Sequence, residues 1–225
     1  MIISNSRRFL FIHVPKAAGT SVTRELSRFT TFRDIEVGGT RFGEKLQDMY
    51  AARFDLRKHS TAKIIRAKAG PEVWRGFFVF AFVRNPYARA YSLYRFIQKW
   101  RDGPHHAEVA SMSFEDFATS PALAEGRIDI ALPQTHWLTD VEGRVMDGID
   151  FVGRLESFDE DMSFILSTIQ RRVCDYRAVE RANVSAEPEE WRAAMTPNAS
   201  AAIRVVYAED FRTFGYHAED LGIAA

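Results

Sequence analysis

"GFFVFAFVRNPYARAYSLYRF", residues 76–96, carries the decision about the fold. Residues 77–83 are apolar without a break. A strand with one wet face alternates apolar and polar residues. A continuous apolar run marks a strand covered on both faces, as in the middle of a parallel sheet. Asn85 then offers a capping side chain, and Pro86 suits the first helical position, where its missing N–H costs nothing. Tyr87, Tyr91 and Tyr94 share one face of the helix that follows. The stretch therefore predicts a central strand passing straight into a helix.

The same order recurs near the start in "FLFIHVPKAAGTSV", residues 9–22. Residues 8–14 predict a buried strand. From Thr20 onward Val22, Leu26 and Phe29 recur at helical spacing. Residues 33–58 read as irregular and polar, with "VGGTRFG" as a turn-rich loop. "KHSTAKIIRAKAGP" predicts a helix capped by Ser60 or Thr61 and stopped at Gly70-Pro71. "DGPHH" falls in a loop over 101–113, "SFEDFATSP" predicts a short capped helix, and a strand at 150–154 leads into another helix. "NASAAIRVVYAEDFRTFGY" predicts a terminal helix. No repeat or low-complexity tract interrupts the series. Strands alternating with helices predict an α/β fold with a central, mainly parallel sheet flanked by helices. The 225 residues suit a single domain, 1–225.

Composition narrows the function classes. With 30 basic and 30 acidic side chains the net charge is zero, so no overall basic field for nucleic acid is indicated. The single cysteine, Cys174, excludes an internal disulfide framework and reads as a partly buried, inert thiol. The N-terminal apolar stretch is short and broken by Arg7 and Arg8, and no run approaches the ~20 apolar residues of a membrane span. The expectation is a cytoplasmic protein, in which the sequons at Asn183 and Asn198 carry no meaning. The histidines lack clustered or i, i+4 spacing, so no metal site is predicted.

The loop between the first strand and its helix suits an anion. A strand-to-helix loop presents backbone N–H groups at the positive end of the helix dipole. Ala17, Ala18 and Gly19 let the backbone close in, Thr20 and Ser21 add hydroxyl donors, and Lys16 adds a mobile charge. A plain turn with a solvated lysine is the alternative. The pattern G-x-x-x-x-G-K-S/T of ordinary ATP and GTP hydrolases is absent, because the lysine precedes the one glycine. Arg84 stands at the carboxyl end of the central strand, where open α/β sheets bind ligands. Arg84 and Ser92 could grip a further phosphate, the arginine through a bidentate contact.

"HVPKAAGTS" followed by "FVRNPYARAYS" resembles the two nucleotide-binding signatures of sulfotransferases that use 3′-phosphoadenosine 5′-phosphosulfate (PAPS). The branch it is most similar to includes carbohydrate O-sulfotransferases and many bacterial homologues. The resemblance continues in "FVGRLESFDED" and in the terminal "VVYAEDFRTFGY". It implies a P-loop-like three-layer fold. It also implies that Lys16, Ala17, Ala18, Gly19, Thr20 and Ser21 form the 5′-phosphosulfate loop, and that Arg84 and Ser92 bind the 3′-phosphate. PAPS would be the donor and adenosine 3′,5′-bisphosphate (PAP) the product, with no metal. Lys16 would answer the charge growing on the leaving phosphate oxygen. The acceptor would be a small-molecule or carbohydrate hydroxyl. The resemblance weights the acceptor toward a carbohydrate or glycolipid hydroxyl; relatives in the Golgi carry a membrane anchor that is not expected here, which weakens any transfer of their glycosaminoglycan substrates and leaves a small cytoplasmic alcohol open.

An attacking hydroxyl must also lose a proton, and histidine is the natural base near neutral pH. His59, before the helix in "KHSTAK", is the first candidate, with a helix N-terminus expected to lower its pKa; a surface histidine among Arg57, Lys58 and Lys63 is the alternative. His13 is the rival, unless strand alternation buries it. His105, His106, His136 and Glu156 rank lower, Glu156 because carboxylates after a strand often cap the next helix. Trp100, Trp137 and Trp191 could stack on a sugar. Two other functions fit less well: an ATP-dependent kinase-like phosphotransferase, and a non-catalytic nucleotide-binding module.

Overall fold

A computed structural model describes residues 1–140, 142–172, 176 and 188–217. Cys174 and Asn183 lie outside the described residues. The chain separates into two compact units, one of residues 1–83 and 136–183, the other of residues 84–135 and 184–225.

The first unit is built on a sheet. Its strands are β1 (Ile2–Ser4), β2 (Phe9–Ile12), β3 (Ile35–Glu36), β4 (Phe78–Val83) and β5 (Phe151–Arg154), in the order β3-β1-β2-β4-β5. β2, β4 and β5 are parallel neighbours, in register from Phe9↔Phe78 and from Phe80↔Phe151. β1 runs antiparallel to both of its neighbours, so four of the five strands share one direction. β2 is the middle strand, and β4 lies beside it between two parallel neighbours, β2 and β5, which is the covered, interior position its unbroken apolar run predicts.

Alternate residues of β2 and β4 make one half of the core. Phe9, Phe11, Phe80 and Phe82 pack with Val22 and Leu26 of α1 (Gly19–Leu26), and with Phe158, Met162 and Ile165 of the helix at 158–170. Burying each such ring contributes about 1.5–3 kcal/mol. The intervening Leu10, Ile12, Val79, Ala81 and Val83 are buried as well, which is the two-sided covering read from the sequence.

Residues 33–58 are more regular than expected. β3 pairs with β1, and α2 runs over Arg41–Phe54. Thr40 caps α2 by accepting from the Gly43 N–H, with Glu44 in the first turn. Gly43 is the sole buried residue of α2, so no core-facing periodicity marks it in the sequence. α3 (Ala62–Ala69) starts from Thr61, which accepts from the Ile64 N–H. Gly70-Pro71 ends α3 as predicted, and Pro71 then opens α4 (Pro71–Gly76).

The second unit is helical. α5 (Pro86–Lys99) is capped by the Asn85 side chain, and Tyr87, Tyr91 and Tyr94 are all buried. After α5 come α6 (His106–Val109), α7 (Phe114–Ala118) and α8 (Pro121–Ala124). Ser113 and Asp116 form a reciprocal capping box on α7. The chain returns to the first unit within α9 (Thr135–Leu138), and α10 (Phe158–Gln170) follows β5. α11 (Pro188–Ala193), α12 (Pro197–Val206) and α13 (Ala208–Phe214) complete the second unit. The single terminal helix read from the sequence is thus two helices, broken at Tyr207, whose φ and ψ of −109° and 25° leave the helical region. Tyr207 is fully buried and its hydroxyl donates to the Ala131 carbonyl at 2.8 Å.

Among the described residues no helix is long and apolar enough to cross a membrane. No group of three or more His, Cys, Asp or Glu among them could hold a metal ion.

Candidate active site

The loop after β2 carries backbone strain. Lys16 and Ala18 both lie in the left-handed region, at φ of 64° and 60°. Neither is glycine, and each such residue costs of order 1–2 kcal/mol. Ala18 is the N-cap of α1 and has no side chain with which to cap it. The first turn contains no acidic residue either. A helix start with neither cap nor carboxylate suits an anion brought in from outside. Lys16, Ala18, Thr20 and Ser21 are partly exposed around it, while Ala17 and Gly19 are buried.

Gly19 meets a need that the sequence did not reveal. A Cβ at this position would overlap the His13 ring. That ring is buried, and its centroid stands 4.6 Å from that of His59 in an edge-on arrangement. His13 thus touches both the anion loop and the leading candidate base. Burial drives the His13 pKa well below its ordinary value, with His59 next in effect.

His59 sits in the turn before α3, where Ser60 N–H donates to the Arg57 carbonyl. Its Nδ1 lies 2.8 Å from the His13 carbonyl oxygen. A carbonyl only accepts, so Nδ1 carries the hydrogen and Nε2 is the basic nitrogen of the neutral ring. The backbone is held as well, since Trp137 Nε1 donates to the His59 carbonyl at 3.0 Å. Burial pushes the His59 pKa down to about 3, the bond to His13 opposes this, and Lys58 adds to the lowering. The direction is the one expected from the sequence. The leading cause is desolvation, and Thr61 rather than His59 caps α3.

Around this pair the "VGGT" turn is tied down. Lys58 Nζ bonds Glu44 at 2.7 Å, and its stem fills the space where Gly38 has no side chain. Gly39 N–H donates to Glu44 at 2.8 Å. Against a desolvation that raises it, these bonds hold the Glu44 pKa below the usual carboxylate range. Lys58 is therefore an ion-pair partner in the structure rather than a loose surface charge.

In the second unit, Arg84 is the residue directly after β4 and is partly exposed. Ser92, two turns into α5, is only 2% exposed. Gln134 brackets the Arg84 backbone. Its Oε1 accepts from the Arg84 N–H and its Nε2 donates to the Arg84 carbonyl, both at 2.8 Å. Asp210 of α13 accepts from the backbone N–H groups of Gln134 and Thr135, at 2.8 and 2.9 Å. Sequence reasoning missed Gln134 and Asp210, which lie 76 positions apart.

The lower-ranked candidates find structural partners. His106 Nδ1 lies 3.1 Å from the Ile97 carbonyl, and His136 is exposed with its ring edge-on to Trp137. Glu156 is exposed, and the carboxylate that serves the turn after β5 is Asp161, which accepts from Arg154 N–H and Ser157 Oγ. Trp137 and Trp191 are buried, whereas Trp100 is 44% exposed.

Residues 1–217 match the sequence model of a family described as the sulfotransferase family. An uncharacterised protein of Archaeoglobus fulgidus is 27% identical over 108 residues, covering 48% of this chain and 80% of its own length. No solved structure is a significant match.

Proposed function

Because the chain belongs to the sulfotransferase family, we propose that it moves a sulfuryl group from PAPS to the hydroxyl of a small-molecule or carbohydrate acceptor. The observation that carries this reading is the conjunction in the first unit of an uncapped, acid-free helix start with a neutral histidine held at Nδ1. Sulfuryl transfer needs both: a seat for the anionic leaving group and a base for the attacking hydroxyl.

Lys16 and the N–H groups of residues 17–21 hold the 5′-phosphosulfate, and Arg84 and Ser92 hold the 3′-phosphate. The acceptor oxygen forms a bond to sulfur while the bond from sulfur to the bridging phosphate oxygen breaks. The electron pair leaves with PAP, where Lys16 answers the charge. The acceptor proton passes to His59 Nε2. No step calls for magnesium, which explains a lysine that precedes the glycine instead of following it. The fold supplying these groups is a P-loop-like variant of the α/β plan, acting as one functional domain. Positioning and charge stabilisation supply most of the rate in such transfers.

The test is transfer from PAPS to a panel of sugar and small-alcohol acceptors, read as sulfated product. The wild type is expected to turn over at least one acceptor, and Lys16→Ala to lose ~10²–10³-fold in kcat, the usual cost of a removed oxyanion donor. Undiminished turnover by Lys16→Ala would contradict the mechanism.

A further inference from the structure

We infer that Gln134 and Asp210 are positioning residues that fix Arg84, and so set the preference for a nucleoside bearing a 3′-phosphate. This rests on the donor assignment above. Gln134 is fully buried, and its carboxamide faces the Arg84 backbone: Oε1 takes the Arg84 N–H and Nε2 gives to the Arg84 carbonyl. A carboxamide facing a peptide in this way fixes both ends of the Arg84 backbone. The second Nε2 hydrogen faces Asp210 Oδ2 at 3.3 Å. Asp210 is itself buried and also holds the Gln134 and Thr135 N–H groups. The "YAEDF" segment of the terminal motif therefore reaches Arg84 through one side chain.

Two features argue that this is more than packing. First, Arg84 is where the chain leaves a strand to enter α5, and Asn85 caps that helix. The guanidinium can be aimed only if the Cα that bears it is fixed. Second, the clamp's carboxylate is opposed by a buried cation. Arg89 is 1% exposed, lies over the Tyr207 ring at 5.6 Å and donates to the Ile130 and Leu132 carbonyls. Its charge offsets that of Asp210, so the clamp does not set a net negative charge against an incoming phosphate.

The test is calorimetric titration with PAP and with AMP, without magnesium, read as the ratio of the two Kd values. Gln134→Met keeps the volume and removes both bonds to Arg84 and the one to Asp210; it is expected to cut the preference for PAP about tenfold. Arg84→Ala is expected to abolish the preference, and Gln134→Met in that background to change nothing more. A second variant guards against misfolding. Gln134→Glu keeps the length and the acceptor but loses the hydrogen given to the Arg84 carbonyl, so its preference for PAP should fall at neutral pH and recover as acid protonates the carboxyl. An unchanged ratio in Gln134→Met, an additional loss in the double variant, or a pH-independent Gln134→Glu would overturn the inference. A wild type with no preference for PAP would overturn the donor assignment itself, and the inference with it.

Discussion

The two units bury polar groups in opposite ways. The first keeps its imidazoles neutral: burial lowers the pKa of both His13 and His59, outweighing the bond to His13 and the charge of Glu44, which raise that of His59. The second buries side chains of formal charge and ties them by hydrogen bonds: Arg89 Nη2 donates to two carbonyls, and Asp210 accepts from two backbone N–H groups. A neutral imidazole keeps a lone pair on one ring nitrogen that can accept a proton during a reaction. Buried, hydrogen-bonded side chains such as Arg89 and Asp210 hold a shape, although burial raises the Asp210 pKa against the opposing charge of Arg89. Under the proposed function, the contrast would put proton transfer in the first unit and positioning in the second.

Variants can break this contrast. His59→Gln is expected to have the largest effect, a ~10²–10⁴-fold loss in kcat with little change in PAP affinity, since general-base catalysis contributes on that scale. Parallel loss of affinity would make His59 a structural residue instead. Arg89→Met should be next. It leaves Asp210 buried beside no cation and is expected to destabilise the chain by about 3–5 kcal/mol in urea unfolding. Gly19→Ala forces a methyl group into the His13 ring and is expected to cost about 1–3 kcal/mol. Glu156→Gln should be smallest, with stability within about 0.5 kcal/mol and full turnover, because Glu156 is exposed.

A pH series sharpens the same point. His59 has a folded pKa of about 3 against 6.5 for the free side chain. The unfolded chain therefore binds a proton that the folded chain refuses. The stability that neutral His59 supplies is complete above about pH 6.5, and is lost progressively as the pH falls from there toward 3. His13 acts with the same sign. Urea midpoints should accordingly drop between pH 6.5 and 4, and a His59→Gln chain should drop less.

Much of this was legible in the sequence, where local pattern and tertiary role coincide. The unbroken run at 77–83, the Asn85-Pro86 start and the small-residue loop at 16–21 each state their structure in a few adjacent residues. β1 escaped because three residues are too few to show a period, and α2 because it buries almost nothing. Among the candidate site residues, Lys16, Arg84 and His59 stand out in the sequence by residue type and context. Gln134 and Asp210 could not, because their partnership is made by folding across 76 residues and leaves no local mark. The second role of Gly19, as room for the His13 ring, was hidden for the same reason.

The most direct measurement is a titration of the wild-type chain with PAP and with ATP in the presence of a magnesium chelator. Tighter binding of PAP is the predicted result, since the proposed transfer uses a donor with a 3′-phosphate and no metal. A preference for ATP that appears only when magnesium is restored would contradict the account.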